Sequence, residues 1–278
     1  MLRCCQTAGM SERVNITISG GVADVRLNRP DKRNALDGEM FSAIVEAGES
    51  LKTAQGVRAV VISGVGASFC AGLDFASFQA MSGGGDKSER PTAGITDIAP
   101  GRITHHGQQA SWVWQELAVP VIAAVHGHAL GGGIQIALGA DIRIVHPDTQ
   151  MSVRETYWGL VPDMTGSLTL SQVCGLDVAK ELTFTARVFS GREAKELGIA
   201  TRLSDTPYED ALALANEIAS RNPDAIRAAK RLFANVANAQ AAEQFAMERR
   251  EIGALIGSPN QVEAVMAGFE KRAPNFKD

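Results

Sequence analysis

The chain has little cysteine and no long apolar run. Its 278 residues include four cysteines, Cys4, Cys5, Cys70 and Cys174, and none forms a C-x-x-C pair. A chain of this length can bury a sizeable core without disulfides, so reduced thiols in a cytoplasmic compartment are expected. No stretch approaches the ~18 apolar residues of a membrane span, and residues 1–10 lack the apolar segment of a secretory signal. Positive charge is not in excess: 27 Lys and Arg against 31 Asp and Glu leave a net charge of -4. That balance argues against a nucleic-acid partner or a polybasic membrane surface. Heptads and low-complexity tracts are missing, which excludes a scaffold built on them. The five histidines match no zinc spacing and no clustered carboxylates accompany them, so no metal is expected.

What is present is an ordinary globular composition, 45% hydrophobic and 21% charged. Residues 1–12 read as a loose extension, with Met10 as a second candidate start. Residues 14–19 and 22–27 alternate around Gly20 and Gly21 and predict a hairpin. Met40, Phe41, Ile44, Val45, Gly48 and Leu51 recur at helical spacing over 38–52. Strands are expected at 58–63, 121–125, 142–145 and 151–153, and helices at 111–117, 134–140 and 165–176. Residues 82–107 are rich in Gly, Pro, Ser and charge, and read as a long loop. Strand, strand and helix in repeated turns indicate a mixed α/β core over 13–205. Beyond it, residues 206–278 read as a helical module with legible caps. Ser190-x-x-Glu193, Thr206-x-x-Glu209 and Ser258-x-x-Gln261 are capping boxes, the last two with proline at the first helical position. These predict helices at 191–197, 207–220, 224–236, 241–256 and 259–271.

Two glycine-containing segments carry the chemistry: Ser68-Phe-Cys-Ala-Gly-Leu-Asp74 and His126-Gly-His-Ala-Leu-Gly-Gly-Gly-Ile-Gln135. Each follows an apolar strand and lacks bulk where the backbone turns, so the main chain can approach a ligand closely. Successive glycines at a helix start leave N–H groups unpaired, which suits an anion or a developing oxyanion. Gly131–Gly133 is not G-x-G-x-x-G, and no Gly-Lys-Ser/Thr follows, so dinucleotide and Walker sites are poorly supported.

Asn28-Arg-Pro-Asp-Lys-Arg-Asn-Ala-Leu36, Phe69-Cys-Ala-Gly-Leu-Asp74 and Pro120-Val-Ile-Ala-Ala-Val-His-Gly127 with Gly131-Gly-Gly133 resemble the crotonase (enoyl-CoA hydratase/isomerase) signature. The resemblance runs in order from about residue 14 to 272. It implies a spiral of ββα repeats followed by a C-terminal helical trimerisation module, giving a homotrimer or a hexamer of paired trimers. It also implies an acyl-CoA thioester substrate, with coenzyme A part of the substrate and no separate cofactor. By position, the N–H groups of Leu73 and Gly132 would form the oxyanion hole. Ala71, Gly72 and Gly131 would line the CoA passage, Arg29, Lys32 and Ala35 would grip its nucleotide end, and Lys271 would reach CoA from the last helix, in its own or a neighbouring subunit. No serine stands at the glycine-rich helix start, against a protease relative.

In hydratases of that family two glutamates share the proton work. One corresponds to Glu155, four residues before the glycine of Gly159-Leu-Val-Pro162. The place of the other is held by Gln135, whose amide can orient a group but cannot act as general acid or base. Asp163, eight residues beyond Glu155, supplies another carboxylate, a layout that resembles the dienoyl-CoA isomerase branch. The expected proton-transfer pair is therefore Glu155 and Asp163, with a helix N-cap as the plain alternative for Asp163 and a salt bridge to Arg154 or Arg143 for Glu155. Asp74 reads as a loop brace, Cys70 as a small buried thiol, and His126 and His128 as supports of the glycine loop. Tyr157 and Trp158 are expected in the acyl pocket. The readings that follow are a double-bond isomerase, an enoyl-CoA hydratase, and a non-catalytic acyl-CoA-binding protein.

Overall fold

The computed structural model describes residues 6–7, 12–75, 77, 97–238 and 240–276. β1 (Gln6–Thr7), β2 (Val14–Ser19) and β3 (Val22–Leu27) lead into α1 (Gly38–Thr53) and β4 (Ala59–Gly64). Then come α2 (His106–Glu116), β5 (Val121–Val125), β6 (His128–Leu130) and α3 (Gly132–Leu138). β7 (Ile142–Val145), β8 (Gln150–Ser152), α4 (Gly166–Val173), α5 (Leu176–Thr185), β9 (Phe189–Ser190), α6 (Gly191–Glu196) and β10 (Arg202–Leu203) continue the chain. The last helices are α7 (Pro207–Ala219), α8 (Pro223–Ala237), α9 (Ala241–Leu255) and α10 (Pro259–Glu270).

Seven strands form one sheet in the order β1-β2-β3-β4-β5-β7-β10, and β6-β8-β9 form a smaller one. β2 and β3 pair antiparallel, as the alternation around Gly20 and Gly21 predicts, and β3, β4, β5, β7 and β10 run parallel. Successive turns of chain place one strand in each sheet. β5 is followed by β6 and β7 by β8, and Cys70, after β4, bridges Ala129 of β6. This is the spiral of strand–strand–helix turns.

β4 and β5 are buried on both faces, which is why they read as unbroken apolar runs. Their alternation sorts them between two cores. Val60, Ile62, Val121 and Ala123 point to the core that holds α1, α2 and α3. Ala59, Val61, Ile122 and Ala124 point to the opposite face, against Ala211, Ala215 and Ala219 of α7. Alanines four apart let α7 lie close to the sheet. Among the described residues no helix is long and apolar enough to cross a membrane.

Several expectations need correction. Residues 1–12 are not all a loose extension, since Gln6 and Thr7 pair with Ile18 and Thr17; Cys4, Cys5 and Met10 lie outside the described residues. α2 begins at His106 rather than 111, because His105 caps it. The His105 ring accepts from the Gly107 N–H at 3.0 Å, and Gln108 Oε1 accepts from the His105 N–H at 3.2 Å. The end of the 82–107 loop is thus part of the core, while residues 82–96 lie outside the described residues. The helix expected over 165–176 ends at Val173, and a second, α5, starts at Leu176. Ser190 and Ser258 cap as predicted, but the Thr206 side chain makes no capping bond.

Candidate active site

After β4 the chain returns alongside β6 and locks to it. The Cys70 N–H donates to the His128 carbonyl at 2.9 Å, and the Leu130 N–H to the Cys70 carbonyl at 3.1 Å. On the other side the Leu36 N–H donates to the Gly72 carbonyl, and the Asp74 N–H to the Leu36 carbonyl. Two close approaches require glycine. A Cβ on Gly72 (φ +88°) would lie 2.6 Å from the Leu130 carbonyl oxygen, and one on Gly133 would lie 2.3 Å from that of Cys70. Between these clamps, the N–H groups of Leu73 and Gly132 have no backbone acceptor among the described residues. Both residues line one cavity of about 960 Å³. His126 and His128 brace the turn, His126 on the Gly66 carbonyl and His128 on Ser68 Oγ, both at 2.8 Å.

Glu155 lies in a short 3-10 turn after β8, 8% exposed and facing the same cavity. A Cβ on Gly131 would stand 3.4 Å from its Oε1, so the carboxylate adjoins the glycine triplet. Its Oε1 accepts from Gln135 Nε2 at 2.5 Å, and its Oε2 is buried without a partner among the described residues. Burial pushes this carboxyl up to about 7, with the Gln135 hydrogen bond pulling it down and the charge of Glu248 adding to the rise. Among the described residues no salt bridge holds it. Arg154 donates to the Ala186 carbonyl and covers the Tyr157 ring, and Arg143 donates to the carbonyls of Ile199 and Ala140.

Asp163 also lines the cavity. It is not the cap of α4; that place belongs to Thr165, in the left-handed region at φ +70°. Burial first, then the charges of Glu155 and Glu248, push Asp163 up to about 8. Gln135 joins the two carboxylate segments. While its Nε2 serves Glu155, its Oε1 accepts from the N–H groups of Met164 and Gly166, both at 2.9 Å.

Of the other expected residues, Lys32, Ala35, Ala71, Gly72, Gly131 and Trp158 line the cavity. Three do not. Arg29 is held by Asp74 at 2.5 Å and Asp37 at 3.4 Å, so its charge is spent bracing the loop, and Asp74 is the brace expected of it. Tyr157 is exposed and meets Trp158 edge-on. Lys271 is the exposed left-handed residue ending α10. Cys70 is fully buried, and its thiol is pushed up to about 12 by burial, too high for a nucleophile. Among the described residues no cluster of His, Cys, Asp and Glu could hold a metal ion.

Three contributions escaped the sequence reading. Ile252 of α9 and Ile256 just after it close the apolar end of the cavity with Leu160. His105, 2% exposed, also lines it, and burial lowers its ring to about 4 and keeps it neutral. Glu248 lies behind the Asp163 loop. Its signal was legible as a carboxylate on the helical stripe Ala241, Phe245, Ile252.

Two backbone segments that leave their amides free, with two buried carboxylates in the same cavity, are the makings of a site for enolate chemistry. The fold is of the crotonase type. The enoyl-CoA hydratase/isomerase family profile matches residues 17–278, and the chain belongs to that family as one of its acyl-CoA enzymes. The mouse mitochondrial enoyl-CoA hydratase domain-containing protein 2 is 34% identical over 266 residues, covering 92% of this chain and 84% of its own. Human mitochondrial methylglutaconyl-CoA hydratase is 32% identical, over 92% of this chain and 74% of its own. A solved enoyl-CoA hydratase/isomerase from Pseudoalteromonas atlantica T6c superposes with a TM-score of 0.81 at 28% identity, over 95% of this chain and 100% of its own.

Proposed function

We propose that the protein shifts a double bond of an unsaturated acyl-CoA, in the manner of the family's isomerases. The thioester oxygen lies between the N–H groups of Leu73 and Gly132 and gains charge as the enolate forms. Two such donors are each worth about 3–4 kcal/mol in a transition state of this kind. Glu155, whose carboxylate adjoins the glycine triplet and so the thioester end, is the base that takes a proton from the α-carbon of a 3-enoyl thioester. Asp163 delivers one at the γ-carbon. One proton leaves the substrate and one returns, so composition is unchanged. The observation that carries this reading is the pair Glu155 and Asp163 on one cavity, with the other family acid replaced by an amide. Ala71, Gly72 and Gly131 flank the thioester passage and Lys32 the nucleotide end, while coenzyme A remains part of the substrate.

Hydration is the second reading, supported by the hydratase names of the relatives above. In it Glu155 works largely alone and Gln135 keeps it oriented. Turnover of 2-enoyl-, 3-enoyl- and dienoyl-CoA in deuterated water separates the two. An isomerase returns product of unchanged composition with deuterium incorporated. A gain of one water would replace it with a hydratase.

The same proposal includes a homotrimer or a pair of trimers. α8 has no buried residue and exposes Leu232, Phe233 and Val236, each more than 70%. Such an apolar helical face marks an interaction surface. Sedimentation is expected to give a mass of three or six chains, reduced by Phe233→Glu; a monomer at micromolar concentration would contradict it.

A further inference from the structure

The Asp163 loop is gripped from two sides, and only one grip belongs to the site already described. Four successive N–H groups alternate between two acceptors. Those of Met164 and Gly166 go to Gln135 Oε1; those of Thr165 and Ser167 go to Glu248, at 3.0 Å on Oε2 and 3.3 Å on Oε1. Glu248 lies on α9, 4% exposed, where the helix otherwise buries apolar side chains. A buried carboxylate needs partners to be tolerated there. It has a full set: Gln108 Nε2 adds a bond to Oε2 at 2.9 Å, and Ser167 Oγ one to Oε1 at 2.5 Å. Gln244 Nε2 donates to the same Ser167 Oγ at 2.8 Å, which leaves the hydroxyl hydrogen for Glu248. Each oxygen thus receives one backbone N–H and one side-chain donor, a set that favours the ionised carboxylate against the burial that pushes this carboxyl up.

What this grip holds is a strained turn. Thr165 is a non-glycine residue at φ +70°, a costly conformation that persists only where its surroundings enforce it. We propose that Glu248 is a positioning residue for proton transfer: by taking the Thr165 and Ser167 N–H groups it enforces the left-handed turn that keeps Asp163 on the cavity beside Glu155. This rests on the pair assigned above.

Its charge makes a second contribution, since it pushes the carboxyls of both Glu155 and Asp163 up. Of the other ionisable groups around it, His105 and His106 at the start of α2 are both shifted down by burial, while Arg249, attracted by the charge of Glu248, is turned to the Ile103 carbonyl and Gln108 Oε1.

The test compares wild type, Glu248→Gln, Glu248→Asp, Ser167→Ala and Glu155→Gln on whichever enoyl-CoA the wild type converts. Glu248→Gln is expected to lower kcat by about 10- to 100-fold, the scale of a small misplacement, with KM within about twofold. Both limbs of its pH profile should move to lower pH, because removing a negative charge eases ionisation of the pair. Glu248→Asp keeps the charge but falls short of the loop, so it should lose kcat with its limbs in place. Wild-type kcat and limbs in Glu248→Gln would overturn the proposal. So would a joint loss of kcat and binding with unshifted limbs, the mark of a merely structural role. Should Glu248→Gln fail to fold, Ser167→Ala should still lower kcat at constant KM, and wild-type kcat there would be equally fatal. Glu155→Gln separates the two levels: full turnover in that variant removes the pair assignment itself, whereas its loss beside an unaffected Glu248→Gln removes only the role of Glu248.

Discussion

Glu155→Gln is expected to reduce kcat on the order of 10³-fold, within the range supplied by a positioned acid or base, while KM for the CoA thioester stays within about twofold. The amide preserves the oxygen that accepts from Gln135 Nε2 and loses only the ability to take a proton. A second readout needs no substrate. Glu155 has an ordinary value of 4.5 and is pushed up to about 7 in the folded chain. Between those values the folded protein holds the proton more tightly than the unfolded one, so stability falls as pH rises through that window. Above it, the ionised and buried carboxylate costs on the order of a few kcal/mol. The variant should therefore melt higher than wild type at pH 8 and about equally at pH 4. Unchanged turnover would remove Glu155 from the chemistry and favour a protein that binds acyl-CoA without converting it. An equal melting difference at both pH values would contradict its burial as a titrating group.

Gln135→Glu is the second large effect, and intuition about restoring a missing acid points the wrong way. The new oxygen would replace an N–H donor 2.5 Å from Glu155 Oε1. Two carboxylates at that separation cannot both ionise, so one proton would be shared and the base held back at neutral pH. Its other oxygen would still accept from the Met164 and Gly166 N–H groups, so the loop should survive. Activity at pH 7 is expected to fall at least about tenfold, with the ascending limb of the pH profile displaced upward by more than about one unit. Kinetics between pH 6 and 10 on 2-enoyl- and 3-enoyl-CoA check this. A variant that instead adds water efficiently at pH 7, with its limb unmoved, would mean that paired acids suit this cavity and would favour the hydratase reading.

Much of this architecture is readable from local pattern. The β2–β3 hairpin, the buried runs of β4 and β5 and the capped helices α6 and α10 each follow from alternation, apolar length or a serine before the first turn. The hairpin's Gly20 and Gly21 both adopt positive φ, as its turn demands. The start of α2 is not legible because its buried residues include Gln108 and Gln109, polar groups with partners far along the chain that leave no periodic trace. Within the site, the glycine segments and Glu155 are legible because close backbone approach constrains residue type. Asp163 could be nominated but not separated from a helix cap until Thr165 was seen to occupy that place. Arg29, Tyr157 and Lys271 were assigned from position alone. Where a long side chain goes depends on its neighbours: Asp74 and Asp37 claim Arg29.

The order in which the site is assembled follows from α9. A chain that has left the ribosome only as far as residue 240 already contains both glycine segments, Glu155 and Asp163. It still lacks Ile252 and Ile256, which close the apolar end, and the carboxylate that receives the Thr165 and Ser167 N–H groups. Domains fold as units as synthesis proceeds, but here the reactive centre waits for nearly the last helix. A chain stopped short of that helix would lack both the wall and the acceptor of the loop, so activity requires that synthesis has passed residue 256.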